Sequence, residues 1–284
     1  MKIHYECIAC AVNQAQKIVE MSTEDVAQRK RAMLFIAQRL GEFFREDSIP
    51  ATDGGRLFLE LYAFLGNDDP FGEYKRISTE LARDVAEDIG RVDDLRTALK
   101  LAIAGNLIDF AVGYDPKKIE EDVLSLASQE LYIDHSNELF SELGNAKSLL
   151  YLVDNCGEIY FDRIFIERIC EEFPGLKVYV AAKEGPIIND ATVEDLREAR
   201  FDEIAKVVST GSRLPGTPLE YASSEFLRLF ERVDVIIAKG QANFETLSDL
   251  KDPRIFFLLK AKCNPISREL GVPRGSMVCV RGKY

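Results

Sequence analysis

Four short apolar runs rich in β-branched residues constrain this chain more than any other feature of its sequence. They are 148–154 (SLLYLVD), 176–182 (LKVYVAA), 205–211 (AKVVSTG) and 233–240 (VDVIIAKG). Helical patterns separate or follow them at 159–173 (IYFDRIFIERICEEF), 193–199 (VEDLREA) and 218–233 (PLEYASSEFLRLFERV). Buried strands alternating with amphipathic helices predict a parallel sheet covered by helices. Two later runs, 254–263 and 276–282, can add strands to it.

The first half reads differently. Segments 11–20, 23–44, 54–65, 71–92, 93–105 and 119–133 space apolar residues by three and four, the period of helices packed on one another. Strand-like alternation is almost absent before residue 146, and Gly144-Asn145 marks a turn. The expected architecture is therefore α/β: a Rossmann-like, mostly parallel sheet flanked by helices, with an all-helical N-terminal region. It divides into a helical domain at 1–145 and a metal- and phosphate-binding α/β domain at 146–284, with a cleft between them.

Charge narrows the partners. The 284 residues carry 36 Lys and Arg against 48 Asp and Glu, a net of -12, and no basic cluster interleaved with aromatics, so nucleic acid is not expected. No run approaches the roughly 18 apolar residues of a membrane span. The first residues lack the basic-then-apolar build of a secretion signal, so the expected compartment is the cytoplasm. A small phosphate compound remains a possible partner if something local supplies positive charge, and a divalent metal would do so.

Polar residues gather where the central strands end: Asp154-Asn155-Cys156-Gly157-Glu158, then Lys183-Glu184-Gly185-Pro186 with Asn189-Asp190, then Ser209-Thr210-Gly211, then Lys239-Gly240-Gln241-Ala242-Asn243. In an open parallel sheet these carboxyl ends share one edge, where ligands bind. Asp154 and Asp190 offer carboxylate oxygens and Asn155 a carbonyl, a set suited to Mg²⁺ or Mn²⁺. Lys239, followed by Gly240, can aim an ammonium at a phosphate. Each motif also has a plain structural reading: Asp154-Asn155 as a turn, Asn189 to Thr192 as a helix cap, Lys239-Gly240 as a loop start. Their common edge is what favours a site. Only His4 and His135 are histidines, which excludes a histidine-rich zinc hydrolase. Cys7 and Cys10 form one C-x-x-C, half of a four-thiolate zinc site that His4 could extend; the alternatives are a redox pair or ordinary buried thiols.

The motifs D-N-x-G-E at Asp154 to Glu158, P-x-x-N-D-A-T at Pro186 to Thr192, K-G-Q-A-N-F-E at Lys239 to Glu245, A-G-N-x-I-D at Ala104 to Asp109, and the early C-x-x-C occur together. In this the chain resembles the damage-control phosphatase family, most closely its first, nucleotide-phosphatase-like subfamily. The resemblance spans nearly the whole chain and implies a metal-dependent phosphatase using Mn²⁺ or Ni²⁺, with Co²⁺ or Mg²⁺ as substitutes. It implies Asp154, Asn155 and Asp190 as metal ligands, with Asp154, Asn155 and Lys239 catalytic and Lys239 on the substrate phosphate. Asn106, Glu158, Gly240 and Asn243 are the expected substrate contacts, with Asp109 adjoining them. The R-T-x-K motif of other subfamilies is absent, which points away from phosphosugars and from a carboxyl methyltransferase.

The reaction expected is hydrolysis of a phosphate monoester of a small metabolite, a nucleotide or a damaged or oxidised derivative. The nucleophile is either a water activated by the ion, which is favoured, or Asp154 itself. Two other classes compete. A nucleotide-cofactor enzyme such as a methyltransferase would share the sheet, but no G-x-G-x-x-G follows its first strand. A non-catalytic metal- or nucleotide-binding regulator would bind the same ligands without turnover.

Overall fold

The computed structural model describes residues 1–106 and 116–282; Asp109 lies outside them. The chain opens with helices α1 (Tyr5–Ser22), α2 (Val26–Phe43), α3 (Pro50–Leu65), α4 (Gly72–Ile89), α5 (Leu95–Ala104) and α6 (Pro116–Ser128). A two-residue strand β1 (Ile133–Asp134) and helix α7 (Ser136–Asn145) follow. Then come β2 (Ser148–Leu152), α8 (Ile159–Glu172), β3 (Lys177–Ala182), α9 (Val193–Glu198), β4 (Lys206–Ser209), α10 (Ser224–Arg232), β5 (Val235–Lys239), α11 (Gly240–Leu247), β6 (Ile255–Lys260), α12 (Asn264–Leu270) and β7 (Met277–Arg281).

The seven strands form one sheet in the order β1-β7-β6-β5-β2-β3-β4, parallel except where β6 meets β7. The expected mixed α/β fold with N-terminal helices is thus the fold observed. β3 and β4 extend the sheet to one side of β2, and β5 returns to pair with its other side. Strand order reverses there, so the carboxyl ends of β2 and β5 open the crevice in which ligands of such sheets bind.

Two local expectations are corrected. Ile133 and Asp134 pair with Val278 and Cys279, a strand ahead of residue 146 too short to leave any periodicity. Gly144 and Asn145 are the last residues of α7, and the chain leaves the helix only at Ala146.

Period-two alternation sends successive side chains to opposite faces of the sheet. Leu149, Tyr151 and Val153 enter the core beneath α4 to α9, whereas Leu150 and Leu152 enter the core shared with α10 and α11. The first core also holds Ala98, Leu99, Val123 and Leu139, so apolar packing runs continuously across residue 145. A third core is formed by α1 to α3 and takes in Ile187 from the loop after β3. That insertion ties the first helices to the sheet edge that carries the polar loops.

Candidate active site

β2 runs into Val153, Asp154 and Asn155, and the backbone there is met by a segment from after β3. Ala191 N donates to Asp154 O at 2.8 Å and Cys156 N to Asn189 O at 3.0 Å, so Asn155 and Asp190 form an antiparallel bridge. Main chain thus sets Asp154, Asn155 and Asp190 on adjoining segments. The return segment is itself clamped: Lys183 N bonds Ala191 O, Val193 N bonds Lys183 O, and Thr192 caps α9 in a reciprocal capping box with Asp195. Ile188 holds a left-handed φ of 46°, strained for a β-branched residue, and its N–H donates to the Tyr62 hydroxyl of α3 at 2.9 Å.

Beneath this edge lies a buried polar layer. Lys239, 0% exposed, donates to Ala102 O at 2.7 Å, Glu158 Oε1 at 2.5 Å and Asp162 Oδ1 at 2.5 Å. Burial alone would favour the neutral amine, but the carboxylates of Asp162 and Glu158 more than offset it and hold the ammonium charged. Burial likewise raises Asp162, against the pull of Lys239; Tyr151 adds a hydrogen bond at 2.7 Å, while Asp162 Oδ2 has no hydrogen-bond partner.

The Lys239 assignment needs correction. An ammonium has three protons, all three serve protein acceptors, and Lys239 does not line the cleft, so it is placed as a support and not against a phosphate.

Glu158 transmits that support upward. Its Oε2 accepts from Asn106 Nδ2 at 2.6 Å and from Asn155 Nδ2 at 3.2 Å. A carboxylate only accepts, so both amides turn their NH₂ groups toward it and their carbonyl oxygens elsewhere. Glu158 is 1% exposed and absent from the cleft wall, so it stands behind two asparagines and positions them.

Gly240 and Asn243 are corrected in the same way. Gly240 has φ 75°, and a Cβ there would stand 1.9 Å from Asp154 Oδ2; the glycine lets the start of α11 press against Asp154. Asn243 Nδ2 donates to Lys239 O at 2.7 Å and Val153 O at 3.3 Å, and its Oδ1 accepts from Thr217 Oγ1 at 2.7 Å. It stitches the ends of β2 and β5 together from inside. Of the four expected substrate contacts, Asn106 alone reaches the cleft.

The cleft has a volume of about 580 Å³. Asn106, Asp154, Asn155, Asn189 and Asp190 form its polar end, and Phe44, Phe58, Phe71, Tyr74 and Pro215 an apolar wall from the N-terminal helices and the loop before α10. Glu245, Lys262, Cys7, Cys10 and Cys263 line its remaining side. A larger depression of about 1220 Å³ between α4, α8 and α9 holds none of the strand-end motifs expected to act; several of its arginines pair with its own acids, as Arg163 does with Glu167 and Glu203.

Asp190 is held partly by charge. It is 4% exposed, its Oδ2 has no hydrogen-bond partner, and Lys183 Nζ stands 3.7 Å away while donating to Gly216 O at 2.5 Å. Burial pushes its carboxyl well above the usual range, against the opposing pull of Lys183 and Lys75. A buried carboxylate oxygen without a donor, on the same cleft wall as a second carboxylate and an amide, suits a hard divalent cation. Among the described residues no group of three or more His, Cys, Asp or Glu side chains is arranged to hold a metal. An ion here would rely on Asn155, on water and on substrate oxygens for its other ligands. Mg²⁺ and similar ions commonly bind in that way.

Sequence reasoning missed Asp162 and the apolar wall. Asp162 follows Glu158 by four residues, a spacing that places both carboxylates on one face of α8, so the signal was available. The aromatic wall assembles Phe58 and Tyr74 from two helices with the caps Phe44 and Phe71, and left no such trace.

Comparison with known proteins gives a consistent picture. The family described as "Damage-control phosphatase ARMT1-like domain" matches residues 3–278. A Pyrococcus horikoshii protein named damage-control phosphatase PH1575 is 55% identical over 286 residues, covering 100% of this chain and 99% of that one. A protein of Archaeoglobus fulgidus, also named a damage-control phosphatase, is 35% identical over 98% of each chain. The crystal structure of the Pyrococcus horikoshii protein, described there as a DUF89 family protein, superposes with a TM-score of 0.96 over 100% of both chains. Among the described residues no helix is long and apolar enough to cross a membrane.

Proposed function

The chain belongs to the damage-control phosphatases with an ARMT1-like domain and is on that ground a phosphatase; we propose that it hydrolyses phosphate monoesters of nucleotides or their damaged derivatives in this cleft, with a divalent metal. The observation that carries the reading is the main-chain bridge that sets Asp154 and Asn155 beside Asp190 at the polar end of the cleft.

Charge supports the metal. A phosphate dianion entering between Asp154 and Asp190 meets two carboxylates on a protein of net charge -12, and Lys239 is committed elsewhere. A divalent cation held by Asp154, Asn155 and Asp190 supplies the positive charge that offsets the charge gathering on the phosphoryl oxygens. Mn²⁺ or Ni²⁺ is the favoured ion, with Co²⁺ or Mg²⁺ as substitutes.

The chain's own residues supply position. Glu158, fixed by Lys239, orients the carbonyls of Asn106 and Asn155, and Gly240 packs Asp154 in place. Asp154 then stands at the polar end, where it can accept a proton from an attacking water. Phe44, Phe58, Phe71 and Tyr74 offer an aromatic wall to a nucleobase while the phosphate reaches the acids.

The test is a panel of nucleoside monophosphates, oxidised nucleotides and sugar phosphates, each assayed with Mn²⁺, Ni²⁺, Co²⁺ or Mg²⁺ and with chelator. Metal-stimulated release of phosphate that favours the nucleotides supports the proposal. Turnover unaffected by chelator removes the metal from it, and equal rates on sugar phosphates remove the nucleotide preference.

A further inference from the structure

The proposed reaction makes no use of three thiols that stand together at the cleft. Cys7 and Cys10 lie on α1 and Cys263 caps α12, and all three line the same cleft as Asp154 and Asp190. A surface clamp joins the two helices: Glu6 accepts from Asn264 Nδ2 at 2.9 Å and from Arg268 Nη1 at 2.8 Å. Cys263 also receives a weak contact from Gln241 Nε2 at 3.8 Å, next to the glycine that packs on Asp154.

Helical spacing favours one pair. Residues three apart on a helix share a face with their Cβ atoms about 5–6 Å apart, and their Cα separation of about 5 Å falls inside the disulfide range. Cys7 occupies the first turn of α1, its N–H bonded to His4 O at 2.9 Å. Cys10, one turn on, is the exposed member. Burial raises both thiols, with the Glu245 carboxyl adding to the effect, so they rest as thiols at neutral pH and only their small thiolate fraction reacts with an oxidant.

We propose that Cys7 and Cys10 form an oxidation-sensitive dithiol at the cleft mouth, which a peroxide converts to a disulfide that slows phosphate release. Cys10 sulfur attacks one peroxide oxygen, the O–O bond breaks, and a sulfenic acid and one water result. Cys7 sulfur then attacks the Cys10 sulfur and displaces its hydroxyl as a second water. Two thiols are oxidised, one peroxide is reduced, and both thiol protons leave in water.

The bridge acts on the site because the start of α1 is anchored at two places. Closing it draws the two Cβ atoms to about 3.8 Å and tightens the first turn. That turn follows Met1, whose amino group donates to Glu245 O at 2.6 Å and pairs with Asp249 at 3.2 Å. Glu245 lies on α11, the helix whose first residue, Gly240, rests against Asp154.

The experiment treats the full chain with hydrogen peroxide and then with dithiothreitol, following trypsin fragments by mass and phosphate release by rate. Both residues fall in one fragment, 3–17, and Cys263 in another, 263–268. The expected result is fragment 3–17 lighter by two hydrogens, a several-fold slower rate, and recovery of both on reduction. Cys10→Ser should remove the mass change and the oxidant sensitivity measured against its own untreated rate, and Cys263→Ser should keep both. An unchanged fragment 3–17 at full peroxide dose, or a crosslink from it to 263–268, overturns the pairing. A complete bridge with an unaltered rate overturns the control of activity. The rate arm rests on the proposed phosphatase reaction; the mass arm does not, so a protein that forms the bridge yet acts on no tested ester refutes that reaction and leaves the dithiol standing.

Discussion

Two groups of carboxylates sit within one sheet edge and behave differently. Glu158 and Asp162, below, are fully buried and share the ammonium of Lys239; Asp154 and Asp190, above, line a cleft, and Asp190 keeps an oxygen with no hydrogen-bond donor. Asp162 also keeps such an oxygen, but at 0% exposure and away from the cleft, where no ligand can reach it. Both oxygens are buried; what differs is that Asp190 belongs to the cleft wall and Asp162 does not. The lower group spends its charge holding the upper one in shape.

Removing a charge from each layer should separate the two roles. Lys239→Met strips the lower carboxylates of their cation, and breaking a buried pair in this way costs about 3–5 kcal/mol. Its thermal midpoint should fall steeply, and activity should go with the fold; a midpoint near that of the parent chain would mean the lower layer supports nothing. Asp154→Ala should do the reverse, lowering metal-stimulated turnover by roughly a thousandfold while circular dichroism and the melting midpoint stay close to the parent. Turnover retained in that variant would remove Asp154 from the reaction.

A smaller effect sharpens the contrast at the cleft's far side. Burial raises Glu245 to about 7, against the opposing effects of a hydrogen bond from Ala51 and the chain's amino terminus. An acid raised in the folded state binds more protons folded than unfolded between its ordinary value and that one. Its stabilising contribution is therefore whole below about pH 4.5 and is lost as pH rises through about 7. Glu245→Gln should flatten this decline by on the order of 1 kcal/mol. Urea melts across that interval measure it, and parallel curves for the two proteins would remove Glu245 from the account.

Much of this was legible in the chain. The β-branched runs gave β2 to β5 their places, and the polar residues closing them marked the edge where Asp154, Asn155 and Asp190 meet. Thr192 could be read as a cap because capping is local, set by a side chain and amides three residues on. Lys239, Glu158, Gly240 and Asn243 were expected at the ligand and stand behind the cleft wall instead. All follow strand ends as site residues do, and position along the chain says nothing of which way such a side chain turns.

The sequence by itself determined the element types, the parallel sheet and the edge on which chemistry would gather, because side-chain period and capping depend on neighbours a few residues apart. Only the tertiary structure decided which polar groups face the cleft and which lie beneath it. Lys239 turns inward because Glu158, 81 residues earlier in the chain, and Asp162, 77 earlier, await it under the sheet. A buried charge goes where its counter-charge is, and that partner is chosen by the fold.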